Sequence, residues 1–149
     1  RQRDTQFQGL DIAGDYIRER ALPSERMFHS THQSHGVLWH AGIKGYPIPN
    51  SIERLEKGEE LGARWLFIYQ WGFEIMNNQE LWERVQETYD IRQYAFTLNG
   101  DQTQPLYLLL EKGDGFSNEE INEKLQQTQP SIRPYLLSSG TVPVYYVDF

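Results

Sequence analysis

DYIRERALPSERMFHSTHQSHGVLWHAGIKGYPIPNSIERLEKGEELGARWLFIY, residues 15–69, carries the pattern that decides the fold. Ile12, Ala13, Tyr16 and Ile17 form the i, i+1, i+4, i+5 stripe of a helix over 11–21 that packs on a sheet. Pro23 and Ser24 stop that helix, and Arg26–Ser30 reads as a short strand. Ser34 is placed to cap a short helix over 35–41 that Gly42 ends. The two prolines of GIKGYPIP, residues 42–49, forbid helix and central-strand pairing, which leaves a brief strand or extended loop. A capped helix over 51–61 follows, then Arg64–Gln70, nearly all apolar and so suited to a central parallel strand buried on both faces. Helix and strand alternating in this way predict a three-layer, Rossmann-like α/β sandwich.

Within this stretch and beyond it, three helices announce their starts. Asn50 with Glu53, Asn77 with Glu80, and Ser117 with Glu120 each fit a capping box or its Asn variant, in which the cap side chain accepts from a free backbone N–H. The corresponding helices are 51–61, 78–89 and 118–127, and Leu81, Trp82, Val85 and Tyr89 form the buried stripe of the middle one. Residues 91–98 and 105–112, joined by the turn-rich NGDQTQ, suit an antiparallel hairpin. Val142–Phe149 alternates as a last strand. The sheet is therefore expected to be mixed, with a parallel centre and an antiparallel C-terminal hairpin. One domain spans 1–149, its core over 10–112 and a helix–strand extension over 113–149.

Composition excludes several classes. The 149 residues carry a net charge of −7, and their basic residues form no block. A phosphate backbone requires a clustered basic face, so no nucleic-acid partner is expected. The chain has no Cys, which rules out disulfides, thiolate metal sites and thiol nucleophiles. The longest apolar runs, 65–69 and 106–110, fall far short of the roughly 20 residues that span a bilayer. No signal-peptide pattern is read at RQRDTQFQG, and this start without Met suggests an excised segment or a processed product. Phosphate-binding glycine motifs and the G-x-S-x-G nucleophile elbow are absent, and GDG at 113–115 reads as a turn.

All four histidines, His29, His32, His35 and His40, fall within twelve residues. Imidazole clusters attract metals, but His29 and His32 point to opposite faces of a strand, and His35 and His40 lie about 140° apart on a helix. With no Asp or Cys to complete a tetrahedral set, neither metal nor other cofactor is expected. The His turn nevertheless follows a strand, where an α/β sheet places its sites. Trp71 and Glu74 occupy the matching position after 64–70, and Tyr46 lies between. His32, His35, Tyr46, Trp71 and Glu74 are thus the candidate ligand-binding residues, with an aromatic ring available to stack on a pyranose. The competing reading assigns the same aromatics to strands and core. No catalytic residue is identified.

The DYIRE-type helix, the short segment leading to GIKGYPIP, and the helix ending in GARWLFIY together resemble the C-terminal extracytoplasmic domain of multi-pass membrane glycosyltransferases. These are the protein O-mannosyltransferase-like and aminoarabinose-transferase-like enzymes that use polyprenyl-phosphate sugars. The resemblance covers residues 10–112. It implies an accessory, non-catalytic domain on the periplasmic or extracellular face, tethered by membrane helices that this chain does not contain. Such a domain covers the active-site mouth or aids acceptor recognition. Its partners would be the membrane-embedded part of the same polypeptide and a carbohydrate or protein acceptor. The family's catalytic acid lies in a loop between early membrane helices, and no residue here corresponds to it. Two alternatives stay open: a free-standing cytoplasmic α/β enzyme or small-ligand domain, and a protein-interaction module.

Overall fold

The computed structural model describes residues 9–29, 41–137 and 140–149, with the side chains of 70–72, 99 and 137 excepted. The chain runs through α1 (Leu10–Arg20), β1 (Arg26–His29), β2 (Lys44–Pro47), α2 (Ile52–Glu60), β3 (Ala63–Tyr69), a 3-10 helix (Gln70–Asn77) and α3 (Gln79–Thr88). It continues with β4 (Tyr89–Asn99), β5 (Gln102–Lys112), α4 (Asn118–Gln127), β6 (Ser131–Leu137) and β7 (Gly140–Asp148). The strands form one seven-stranded mixed sheet in the order β2-β1-β3-β5-β4-β7-β6. Parallel pairing joins β2 to β1 and β1 to β3. Every pair beyond β3 is antiparallel.

The expected sandwich is present, with helices on both faces. On one face α1 lays Leu10, Ile12, Ala13, Tyr16 and Ile17 over Met27, Trp65, Phe67, Tyr107 and Leu109. On the other, Leu55 of α2 and Leu81 and Val85 of α3 cover Phe28, Leu66, Ile68, Ile91, Leu108 and Leu110. Alternation along β3 from Trp65 onward explains the split, since odd positions there face α1 and even ones face α2 and α3. Strand β3 lies between β1 and β5, and Trp65 to Ile68 are wholly buried. Each such side chain contributes roughly 1.5–3 kcal/mol by leaving water.

Local chemistry sets the helix boundaries. Gly9 precedes α1 with φ 89°, a conformation open to glycine, and an added Cβ there would lie 3.0 Å from both Leu106 and Tyr107. The caps of α2 and α3 fall one residue later than expected. Ser51 Oγ accepts from Arg54 N at 3.2 Å, and Asn78 Oδ1 accepts from Leu81 N at 3.2 Å. Asn50 is displaced because its carbonyl oxygen accepts from Asn78 Nδ2 at 3.2 Å, which ties the two helix starts together. Ser117 caps α4 as expected, accepting from Glu120 N.

The C-terminal segment supplies two strands where one was expected. SIRPYLL forms β6 on the outer edge, where Pro134 sits opposite Pro143. An outer strand tolerates a residue without an N–H, so the proline does not prevent pairing. Strand β7 then pairs with β4 through Gln93–Phe96, so 113–149 completes the sheet. The expected helix over 35–41 lies outside the described residues apart from its last position. Among the described residues no helix is long and apolar enough to cross a membrane.

Candidate functional site at the strand carboxyl ends

In the order β2-β1-β3 the chain leaves β1 for a neighbour on one side and then returns past it to the other. The carboxyl ends of β1 and β3 flank this reversal, the position at which α/β sheets open a crevice. Helix α1 runs down to the start of β1, so its N-terminus lies at this same edge, beside Leu106 and Tyr107. Three further described pieces flank the reversal. They are the Pro47–Ser51 connection into α2, the 3-10 helix that leaves β3, and the β4–β5 hairpin with its turn after Asn99.

His29 ends β1 half-buried, and its carbonyl oxygen accepts from Ile48 N at 2.7 Å. Tyr69 ends β3 almost wholly buried, stacked on Phe67 with ring centroids 5.6 Å apart. Burial pushes the Tyr69 hydroxyl far above its ordinary pKa, so it stays protonated. Phe67 also meets Tyr107 at 5.1 Å, giving an aromatic floor beneath the α1 end of the edge. Glu74 is exposed on the 3-10 helix, one residue after half-buried Phe73.

The sequence candidates do not all converge here. His32 and His35 lie outside the described residues, as does the side chain of Trp71, whose backbone belongs to the 3-10 helix. Tyr46 turns toward the opposite edge. Its ring packs 6.5 Å from Phe28, and its hydroxyl donates to the Leu61 carbonyl oxygen at 3.1 Å, at the end of α2 where β3 begins. The Tyr46 hydroxyl and Glu74 therefore lie toward opposite ends of the sheet. Asn77, Asn78 and Gln79 near Glu74 in the chain, and Gln102, Thr103 and Gln104 of the hairpin, are exposed. Among the described residues no three His, Asp or Glu side chains gather as a metal ion requires.

Three polar networks escaped the sequence reading because each joins residues distant in the chain. Tyr107 Oη donates to Gln93 Oε1 at 2.5 Å, and Gln93 Nε2 donates to Asp148 Oδ1 at 2.6 Å. Tyr89 Oη donates to Glu59 Oε2 at 2.8 Å, while Lys112 Nζ lies 3.1 Å from Glu59 Oε1. Asp11 receives Arg133 Nη1 on Oδ2 and Tyr135 Oη on Oδ1, both at 2.5 Å, and Gly9 N donates back to Tyr135 Oη at 3.0 Å. Asp11 lies in the first turn of α1, where the positive end of the helix favours a carboxylate. Here it also anchors α1 to β6. These networks hold elements in place: Gln93 and Tyr107 are shut away from solvent, and desolvation raises the Tyr89, Tyr107 and Tyr135 hydroxyls well above their ordinary pKa.

Comparison with known proteins gives no matching family model, no similar curated protein and no similar solved structure.

Proposed function

We propose that this chain is an accessory, non-catalytic domain of a membrane-embedded glycosyltransferase that draws on a polyprenyl-phosphate sugar, held on the extracytoplasmic face. The observation that carries the proposal is where the family-like wording falls. DYIRE lies in α1, GIKGYPIP surrounds β2, and GARWLFIY spans the join from α2 into β3. The three pieces thus belong to one continuous unit, α1-β1-β2-α2-β3, and not to scattered surface turns. The described polar side chains of the interior are spent on one another, which suits a domain that supports chemistry done elsewhere. Its work would be to cover the active-site mouth or to help select the acceptor.

The test begins with the reading frame ahead of Arg1, where several apolar runs of roughly 20 residues are expected. A frame with no such series ends the proposal. In the full-length parent, deletion of 10–149 should weaken acceptor use, seen as a raised KM for acceptor, while binding of the lipid-linked donor survives. Unchanged acceptor kinetics would remove the accessory role. The small-ligand alternative predicts instead that the isolated chain binds a soluble sugar at the β1–β3 edge, with loss on Glu74→Gln.

A further inference from the structure

Helix α4 is held differently from α1, α2 and α3. Helix α1 buries Ile12, Ala13, Tyr16 and Ile17, α2 buries Leu55 and Gly58, and α3 buries Leu81 and Val85. Every residue of α4 is exposed or half-buried. Its inward side chains include Ile121 and Leu125, one turn apart, which pack on the cluster that holds Phe116 and Trp82. Lys124 is the third, with Nζ 5.9 Å from the centre of the Phe149 ring. The start of α4 adds an exposed contact, Asn118 Oδ1 accepting from Gln86 Nε2 at 3.4 Å. A helix of ten residues is shorter than the roughly 12–15 that are marginal in water, so α4 depends on such packing to stay wound.

The chain on either side of α4 is fixed. Before it, Asp90 Oδ1 accepts from Asp114 N at 3.0 Å and from Gly115 N at 3.1 Å, and Phe116 N donates to the Gln86 carbonyl oxygen at 2.8 Å. An added Cβ at Gly113 would fall 2.2 Å from the Asp90 carboxylate, so this loop lies directly on that side chain. After it, β6 pairs with β7 from Ser131 to Leu137, and Asp11 receives both Arg133 and Tyr135. Extended backbone bounds α4 at both ends, at Ser117 with ψ 162° and at Thr128 with ψ 130°. Pro130 keeps Gln129 out of the helical region, so α4 does not run on into β6.

Anchored ends with a weakly packed middle are the makings of a segment that opens by itself. We infer that residues 117–130 form a strap hinged at both ends, whose α4 lifts as one unit while the seven-stranded sheet stays folded. Lifting takes Lys124 off the Phe149 ring and withdraws Ile121 and Leu125 from the cluster in which Trp82 stands edge-on to Phe116 at 6.0 Å. The strap is thus a cover over aromatic rings that the fold opens and closes without unfolding. It goes beyond the glycosyltransferase reading and does not depend on it.

Hydrogen exchange on the whole chain, read residue by residue and repeated at rising urea below the unfolding transition, tests the strap. Amides 121–128 should exchange together, at least about a hundredfold faster than those of β4 and β5 and almost independently of urea, because a local opening exposes little surface. The amides of Gly115, Phe116, Arg133 and Tyr135 should stay slow, since both ends remain pinned. Leu125→Ala should speed 121–128 by a further factor of about ten and leave β5 unchanged. Exchange of 121–128 at the rate and urea dependence of β5 overturns the strap, because α4 then opens only with the whole fold. Rates that climb steadily from the middle of α4 to its ends overturn it as fraying. Loss of protection at 133 and 135 together with 121–128 overturns the fixed hinge. A Leu125→Ala variant that leaves 121–128 unchanged, or speeds β5 equally, overturns it too, since Leu125 then does not hold a separate unit.

Discussion

Tyr107 and Gln93 share a 2.5 Å hydrogen bond in the interior, with the phenol donating to the amide oxygen and no route for water to replace either partner. Because the Gln93 amide also donates to Asp148, one side chain links β5, β4 and β7. Tyr107→Phe leaves the amide oxygen without its donor and should cost about 1–3 kcal/mol. Gln93→Leu leaves the wholly buried phenol without its acceptor, while the exposed Asp148 carboxylate turns to water, and should cost about as much. Urea denaturation of the two single variants and the double variant should show strong coupling. Additive losses would mean that the bond contributes nothing as a pair.

Gly58 is where α2 comes closest to the sheet, since an added Cβ would fall 2.3 Å from Cζ of Phe28, itself buried. Ala is the better helix former by about 1 kcal/mol, so an open site would gain from Gly58→Ala. Overpacking against the ring should win, with a net loss of about 1–3 kcal/mol. Adding Phe28→Leu should recover part of it. A variant with a raised Tm would show that α2 sits farther from β1.

The Asp11–Tyr135 contact fastens the start of α1 to the outer strand. Tyr135→Phe removes that bond and also the acceptor of the Gly9 N–H, for about 1–2 kcal/mol. Hydrogen exchange should speed up first in the opening turn of α1 and in β6. Faster exchange spread evenly over the sheet would contradict a local fastening.

Alkaline pH should unfold the chain cooperatively. Desolvation raises the hydroxyls of Tyr16, Tyr69, Tyr89, Tyr94, Tyr107 and Tyr135 above the ordinary value of 10.0. Above pH 10 the unfolded chain releases these protons and the native chain keeps them. Stability is therefore whole below that pH and falls as pH rises beyond it. Phenolate absorbance and circular dichroism should change together. Gradual ionisation of these tyrosines in a folded chain would contradict their burial.

Much of the fold was legible because it follows local rules. Helix starts were visible in Ser117 and, within one residue, in the Asn–Ser and Asn–Asn pairs, where two adjacent residues are each able to cap and only the tertiary bond from Asn78 to Asn50 selects between them. The apolar run of β3 announced its interior position. Strand β6 was missed because Pro134 argues against a strand until its place at the edge is known. The register irregularity between Ala95 and Phe96 puts both Leu106 and Tyr107 on the α1 face, which period-two alternation does not predict. Of the candidate site, the position of Glu74 just after β3 was legible from the apolar run that precedes it. The direction of Tyr46 was not, because it depends on a carbonyl fifteen residues away.

Strand β7 covers the whole reach of β4 from Gln93 to Phe96, and the stacked rings of Tyr94, Phe96 and Tyr145 run across that seam. A chain trimmed after Gly113 would not be a smaller version of the same domain. It would present β4 as a bare template, with unmatched N–H and C=O groups beside two exposed aromatic rings, to any other copy in solution. The last residues thus act as a guard against self-assembly, whatever else they contact.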